Sequence, residues 1–99
     1  MYLVHVRLRA PEGAEFPEVT GERVRRVARP AEGVEHVVVR LHAPAGPVLG
    51  VYVLAEGLHQ AEARAAAVCR RALAEIPAFR DWTLAAAEAP LVDAFWEWA

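Results

Sequence analysis

The sequence has 99 residues, of which 56% are hydrophobic and 24% are charged, and its formal net charge at pH 7 is −2. This length fits one domain able to bury its own core, and the slightly acidic balance gives no general attraction to nucleic acid or anionic membranes. The longest apolar runs are too short to cross a bilayer and a patterned strand begins at residue 2, so we expect neither a signal peptide nor a membrane segment.

Several residue types are missing altogether. The chain has no lysine, serine or asparagine, and all 11 basic residues are arginine. Serine nucleophiles, Schiff-base lysines and Gly-Lys-Ser/Thr phosphate loops are therefore excluded. The single cysteine, Cys69, cannot form an internal disulfide, which agrees with a reducing, cytoplasmic location.

The first predicted element is a strand over residues 2–9, where apolar and polar residues alternate. Successive side chains of a strand leave opposite faces of the sheet, so this alternation predicts one buried face and one polar face. The apolar set consists of Tyr2, Val4, Val6 and Leu8. The polar set consists of His5, Arg7 and Arg9.

A turn follows, and Phe16-Pro17-Glu18 predicts the start of a helix that continues to Pro30. Proline loses little in the first turn, where its missing N–H would be unbonded, and Glu18 would meet the positive end of the helix dipole. Gly21 inside the helix costs about 1 kcal/mol relative to alanine. The apolar stripe is expected to consist of Phe16, Val19 or Thr20, Val24 and Val27.

Two further strands are predicted at about 34–43 and 48–55, joined by the hairpin loop Pro44-Ala45-Gly46-Pro47. Residues 48–55 are apolar on both faces, which is typical of a central strand covered on both sides. The alternation in the earlier strand separates two sets, one of Val37, Val39 and Leu41 and the other of His36, Arg40 and His42.

The strongest helix signal covers about residues 58–76, and Pro77 ends it. Residues 81–86 predict a fourth strand. After Pro90 comes a short aromatic tail, in which Phe95, Trp96 and Trp98 could pack on their own subunit or anchor on a partner. The buried stripe of the helix is expected to consist of Leu58, Ala61, Ala65, Val68, Ala72 and Ile76, with Cys69 and Leu73 beside it.

The predicted order β-α-β-β-α-β resembles the ferredoxin-like split βαβ arrangement over nearly the whole chain. The resemblance implies one α+β domain over residues 1–99, with a four-stranded antiparallel sheet and two helices on one of its faces. The other face would stay open and would carry both apolar and His/Arg residues. Since monomers rarely leave an apolar strip uncovered, we expect a homodimer through the open sheet face.

This combination of order and length also resembles the dimeric α+β barrel group. That group includes cofactor-independent monooxygenases, isomerases and decarboxylases, along with members of no known activity. No motif diagnostic of one enzyme family accompanies the resemblance. Fold alone does not select a function, so the chemistry has to be argued from the side chains.

The open face offers the best candidate site. Histidine exchanges protons near neutral pH and arginine holds carboxylates or enolates, so an enzyme could work here on a small anionic or carbonyl-bearing substrate. The catalytic candidates are His5, His36 and Tyr52. The ligand-binding candidates are Arg7, Arg40 and His42. The alternative, which we favour, is a small homodimeric binding or accessory protein that uses this face to meet a small-molecule ligand or a protein partner without catalysis.

Other chemistry is not expected. The histidines are spaced too widely along and across the strands for a zinc site, and we expect no cofactor. Cys69 lies at the edge of an apolar stripe, so a structural role is the default. The arginines at 23, 25, 26 and 29 are expected to form a solvated helix face rather than a nucleic-acid surface, because base-stacking aromatics are lacking.

Overall fold

A computed structural model describes residues 1–40 and 46–89. They form an α+β fold, so the predicted class is confirmed. Its main elements, in chain order, are β1 (Tyr2–Arg9), α1 (Thr20–Val27), β2 (Val34–Arg40), β3 (Val48–Val53), α2 (Leu58–Glu75) and β4 (Thr83–Glu88). Short 3₁₀ turns, Pro30–Glu32 and Pro77–Phe79, precede β2 and β4. No helix within the described ranges is long and apolar enough to cross a membrane.

The four strands form one antiparallel sheet in the order β2-β3-β1-β4. β3 is therefore a central strand, and its residues are buried except for the half-buried Tyr52. The alternation predicted for β1 is confirmed, because Val4 and Val6 are fully buried while Arg7 and Arg9 are exposed.

Both helices cover the same face of the sheet. Val24 of α1 and the Ala61–Ala65–Val68 stripe of α2 belong to the core cluster that also contains Val4, Val6 and Val51. The predicted stripe of α2 is buried from Ala61 onward. Leu58 is an exception because it is 46% exposed at the first position of the helix.

The start of the first helix was predicted too early. α1 begins at Thr20, and Val19 before it has a left-handed backbone with φ 49°, which interrupts any helix from Phe16. The Thr20 hydroxyl donates to the Pro17 carbonyl, and Thr20 rather than Val19 faces the core. Phe16 still contributes to packing from outside the helix, with its ring centroid 5.3 Å from that of Trp82.

Two irregularities in strand pairing were also missed. In β2 the register shifts between Val34 and His36, so Glu35 is an additional residue and Val34 packs against the core. The pairing of β1 with β4 shifts at Ala85, and β4 runs from Thr83 to Glu88 rather than over 81–86. A bulge is hard to recognise in the hydrophobic pattern. Its additional residue shifts the alternation by one position, so that the residues before and after it no longer follow one regular repeat.

Each outer edge of the sheet is partly covered. At the β2 edge, Gly21 of α1 lies so close to the Val37 carbonyl that a Cβ would approach the oxygen to 2.6 Å. Arg25 Nε donates to the Glu35 carbonyl oxygen at 3.1 Å. At the opposite edge, Glu62 of α2 accepts a hydrogen bond of 3.1 Å from the Ala89 N–H, just after the bulged strand β4. Such features discourage the addition of a further strand.

Candidate functional site

The candidate site is the sheet face opposite the helices, which we name the His/Arg face. Its side chains come from all four strands, and the pairing register fixes their relative positions. The face consists of Leu3, His5, Arg7 and Arg9 of β1, His36, Val38 and Arg40 of β2, Val48, Gly50 and Tyr52 of β3, and Thr83, Ala86 and Glu88 of β4. Five of the six predicted site residues lie on it, and the sixth, His42, lies outside the described residues.

One end of the face carries a pair of rings. Tyr52 lies opposite Leu3 on one side and opposite His36 on the other. The His36 and Tyr52 ring centroids are 6.0 Å apart with an interplanar angle of 38°. His36 is exposed and Tyr52 half-buried, so the pair presents one polar edge to solvent and packs its other side on the sheet.

Glycine occupies the middle of the face. Gly50 lies between Val38 and His5, and Glu88 lies opposite His5 on the other side of β1. Gly50 contributes no side chain, so the flanking residues border a position where a bound group could approach the backbone of β3.

The other end of the face is cationic. Val48 lies between Arg7 and Arg40, so the two arginine backbones are separated by two strand spacings, roughly 9–10 Å. Arg7 Nη2 lies 3.4 Å from Glu88 Oε1, with side chains 45% and 61% exposed. An ion pair this exposed contributes little stability, so Arg7 can exchange it for an anionic ligand at low cost.

The two candidate acid–base histidines do not meet. β3 lies between His5 and His36, and His36 is also one row further along the sheet. Only a ligand that bridges β3 could touch both. Within the described residues, no group of three or more His, Cys, Asp or Glu side chains is arranged to hold a metal ion.

Glu88 and Gly50 were not predicted as site residues. Glu88 was placed beyond the end of the fourth strand, because the bulge at Ala85 hides the alternation that would assign it to the polar face. Gly50 carried a signal, since a glycine inside a strand often marks a close approach of the backbone to another group.

Cys69 and the arginine cluster of α1, the other candidates for chemistry or binding, make contacts that stabilise the domain. Cys69 is 1% exposed, and burial raises the pKa of its thiol to about 12, which removes the thiolate needed for nucleophilic attack. In the α1 arginine cluster, Arg26 Nη2 pairs with Glu22 Oε1 at 2.7 Å and Arg25 bonds the Glu35 carbonyl. These contacts are internal to the domain.

Within the described residues, two grooves flank the sheet and border the His/Arg face, one at His36 and the other at Ala86. A groove of about 440 Å³ between α1 and β2 is lined by both acidic and basic residues, and His36 lies at its boundary with the face. The other, of about 360 Å³, runs between α2 and β4 and is lined largely by alanines. Neither contains His5, Arg7 or Arg40.

Comparison with family models, with curated proteins and with solved structures gives no match to this chain. The assignment of a function therefore depends on the geometry of the His/Arg face and on general physical chemistry.

Proposed function

We propose that this protein is a small ferredoxin-like, homodimeric binding or accessory protein of the cytoplasm, and that it binds through the His/Arg face without catalysis of its own. The observation that carries the proposal is the segregation of His5, Arg7, His36, Arg40 and Tyr52 to one face of one sheet, drawn from three strands. The ferredoxin-like description is supported by the βαββαβ order together with the strand order β2-β3-β1-β4.

The choice of this face follows from what the rest of the sheet does. Helices cover one face, α1 covers part of the β2 edge, and a bulge and Glu62 interrupt the β4 edge. Of the sheet's two faces, the His/Arg face is the one on which no helix of the described residues packs, and we propose it for a partner or ligand. Its guanidinium groups favour carboxylates and other planar anions, because they can bind both oxygens at once.

Binding without catalysis is favoured by the separation of the two histidines. An acid–base pair needs both groups within hydrogen-bonding distance of one reacting centre, whereas β3 separates His5 from His36. A ligand lying along the face, with its anionic end near Arg7 or Arg40 and its apolar body over Val38, needs no such convergence.

A second copy is the proposed partner for self-association, because its own His/Arg face presents the same apolar centre and polar rim. Val38→Arg places a charge on the half-buried part of this face. We expect the variant to be monomeric by sedimentation equilibrium under conditions where the dimer forms, while Leu58→Arg, at an exposed leucine of α2, leaves the mass unchanged. Equal masses for the two variants would contradict the face-to-face dimer.

Ligand binding is tested with benzoate as a probe, by following backbone amide shifts in NMR titrations. We expect the shifts to cluster on β1, β2 and β3 and to weaken at least about fivefold in Arg7→Gln and Arg40→Gln, since each removes a charge-assisted hydrogen bond. Arg80→Gln, an exposed arginine outside the face, is the matched control. Shifts confined to α2 would place the ligand elsewhere.

The second candidate function is a cofactor-independent enzyme of the dimeric α+β barrel type, favoured by the His36–Tyr52 ring pair beside the arginines. Such an enzyme would remove a proton next to a carbonyl group. Exchange of the methylene protons of acetoacetate in D₂O, catalysed by the protein and lost in His36→Ala or His5→Ala, would establish this alternative and overturn the proposal of binding alone.

A further inference from the structure

Two arginines of β1 lie next to each other at one end of the His/Arg face. Arg7 and Arg9 are two residues apart on the same strand, so their side chains leave the same face at a spacing of about 7 Å. Thr83 of β4 lies directly opposite Arg9, at the close spacing of a cross-strand pair. Three side chains that donate hydrogen bonds therefore meet at this corner of the sheet, and we name them the Arg7–Arg9–Thr83 cluster.

The cluster is open to solvent. Arg9 and Thr83 are exposed, and the side chain of Arg7 is 45% exposed although it is paired with Glu88. The Arg7 and Glu88 atoms of that pair are 3.4 Å apart. A pair this long and this exposed contributes little to stability, so a more strongly bound anion can displace Glu88 from Arg7. All three members of the cluster are therefore accessible to a ligand.

The positive charge of the cluster is not balanced within the described part of the chain. Glu88 is the single carboxylate among the described residues of the face, and it lies one row from Arg7 and two rows from Arg9. The described residues supply no carboxylate within ion-pair distance of Arg9, whereas Arg71 of α2 is paired with Glu32. Neighbouring like charges repel each other, so an anion bound between Arg7 and Arg9 would relieve an unfavourable interaction.

We propose that the Arg7–Arg9–Thr83 cluster binds a phosphate monoester group, and that the ligand of the His/Arg face is a small phosphorylated molecule. This inference rests on the proposed function and names the ligand class of the same site. A phosphate monoester carries a charge of about −1.5 to −2 near neutral pH and has three acceptor oxygens. Two guanidinium groups supply the matching charge, and together with the threonine hydroxyl they offer donors for all three oxygens.

A carboxylate would use the cluster less fully than a phosphate monoester. It has one negative charge and two oxygens, and a single guanidinium group can bind both oxygens side by side. Benzoate bound at Arg7 would therefore leave Arg9 and Thr83 without a bound oxygen. We infer that Arg9 and Thr83 select phosphate monoesters over carboxylates, whereas Arg7 contributes to the binding of both.

Three probes with the same aromatic ring test the ligand class. Phenyl phosphate has two charges and three free oxygens, whereas methyl phenyl phosphate and benzoate each have one charge and two. In NMR titrations of the full chain at about pH 8 and about 0.15 M salt, without phosphate buffer, we expect phenyl phosphate to bind at least about tenfold more tightly than the other two. The largest amide shifts should occur at Arg7, Arg9 and Thr83. Equal affinity for the three probes would overturn the proposal.

Two substitutions in the cluster test whether it is the phosphate site. Arg9 and Thr83 are exposed, so Arg9→Gln and Thr83→Val should fold. Arg9→Gln should weaken phenyl phosphate binding at least about tenfold and Thr83→Val at least about threefold, while benzoate affinity changes less than about twofold. Arg70→Gln, at an exposed arginine of α2, makes the same change in net charge and should leave the affinity for phenyl phosphate unchanged. Equal losses in Arg9→Gln and Arg70→Gln would overturn the site.

Glu88→Gln should change the affinity in the opposite direction. The substitution removes the carboxylate that is paired with Arg7, so the guanidinium group is released and repulsion of an incoming anion is reduced. We expect phenyl phosphate to bind about threefold more tightly to this variant. An unchanged affinity would show that the phosphate group does not reach Arg7 and would overturn the cluster as its site.

Further outcomes separate this inference from the function on which it rests. Vesicles containing phosphatidic acid present the same group on a membrane, and binding to them without binding to phenyl phosphate would overturn a small-molecule ligand. If benzoate binding depends on Arg7 and Arg40 but phenyl phosphate binds no more tightly, the inference fails and the proposed function stands. If phenyl phosphate binds through Arg9 and the protein also catalyses exchange of the acetoacetate protons, the phosphate site stands and binding without catalysis fails.

Discussion

At the scale of single residues, the best-anchored contact lies outside the His/Arg face. Arg71 donates to both carboxylate oxygens of Glu32, at 2.7 and 2.8 Å, and also to the Val27 carbonyl at 3.1 Å. The hydrogen bonds from Arg71 are the main reason that the pKa of Glu32 falls from 4.5 to about 2. One side chain of α2 thus holds both the end of α1 and the turn that precedes β2.

This pair predicts a pH dependence of stability. The pKa of Glu32 is lower in the folded than in the unfolded chain, so its contribution is complete above pH 4.5 and is lost as the pH falls towards 2. Glu32→Gln should reduce the slope of the free energy of unfolding against pH in that interval, as measured by urea denaturation. Glu22→Gln, in the exposed pair with Arg26, should change the slope much less.

Gly33 gives a second prediction for a single residue. Its φ is +70°, and a Cβ there would approach the Leu54 carbonyl oxygen to 2.5 Å, whereas Gly13 has φ +77° with nothing within 4 Å. Gly13→Ala should cost about 1–2 kcal/mol for the left-handed backbone alone. Gly33→Ala should cost at least about 1 kcal/mol more, because the carbonyl must also move. Similar denaturation midpoints for the two variants would contradict this explanation.

At the scale of elements, the contact between α1 and the edge of β2 depends on the absence of a side chain at one position. Replacing Gly21 by alanine would raise the intrinsic stability of the helix by about 1 kcal/mol. However, the alanine Cβ would lie 2.6 Å from the Val37 carbonyl oxygen. The helix would have to move away from the strand. Local packing and helix propensity therefore oppose one another here, and packing should prevail.

We expect Gly21→Ala to lower the free energy of unfolding and to speed amide hydrogen exchange along β2 more than along β4. Gly57→Ala is the matched control, because a Cβ at Gly57 meets nothing within 4 Å. Uniform acceleration over all strands would indicate a global loss of stability rather than release of α1 from the edge.

Strand periodicity was the part of the fold that the sequence predicted well. The alternation in residues 2–9 and 36–40 assigned His5, Arg7, His36 and Arg40 to one face before any pairing was known. The start of α1 could not be predicted, since it depends on the left-handed backbone of Val19. The site was incomplete for a similar reason, because Glu88 joins it only through the bulge in β4.

At the scale of the whole molecule, Cys69 reports on the opening of the core. It is fully buried in α2, and burial raises its pKa to about 12. We expect an aromatic disulfide reagent to modify Cys69 only in chains that have unfolded, so that urea should increase the modification rate in step with the unfolded fraction. Rapid modification in native buffer would show that α2 opens locally.

The additional residue in β2 has a consequence for how this chain tolerates change. Before Glu35 the even-numbered Val34 packs on the helix side, and after it the odd-numbered Val37 does. Glu35 therefore determines which alternate residues of β2 face the helices on each side of it. This effect depends on the additional backbone unit more than on the glutamate side chain. Deleting this one residue would pair Val34, His36 and Val37 with Val53, Tyr52 and Val51 without interruption and would keep both valines on the helix side. The strand would lose its bulge and the carbonyl to which Arg25 donates, whereas a substitution at the same position would leave both in place.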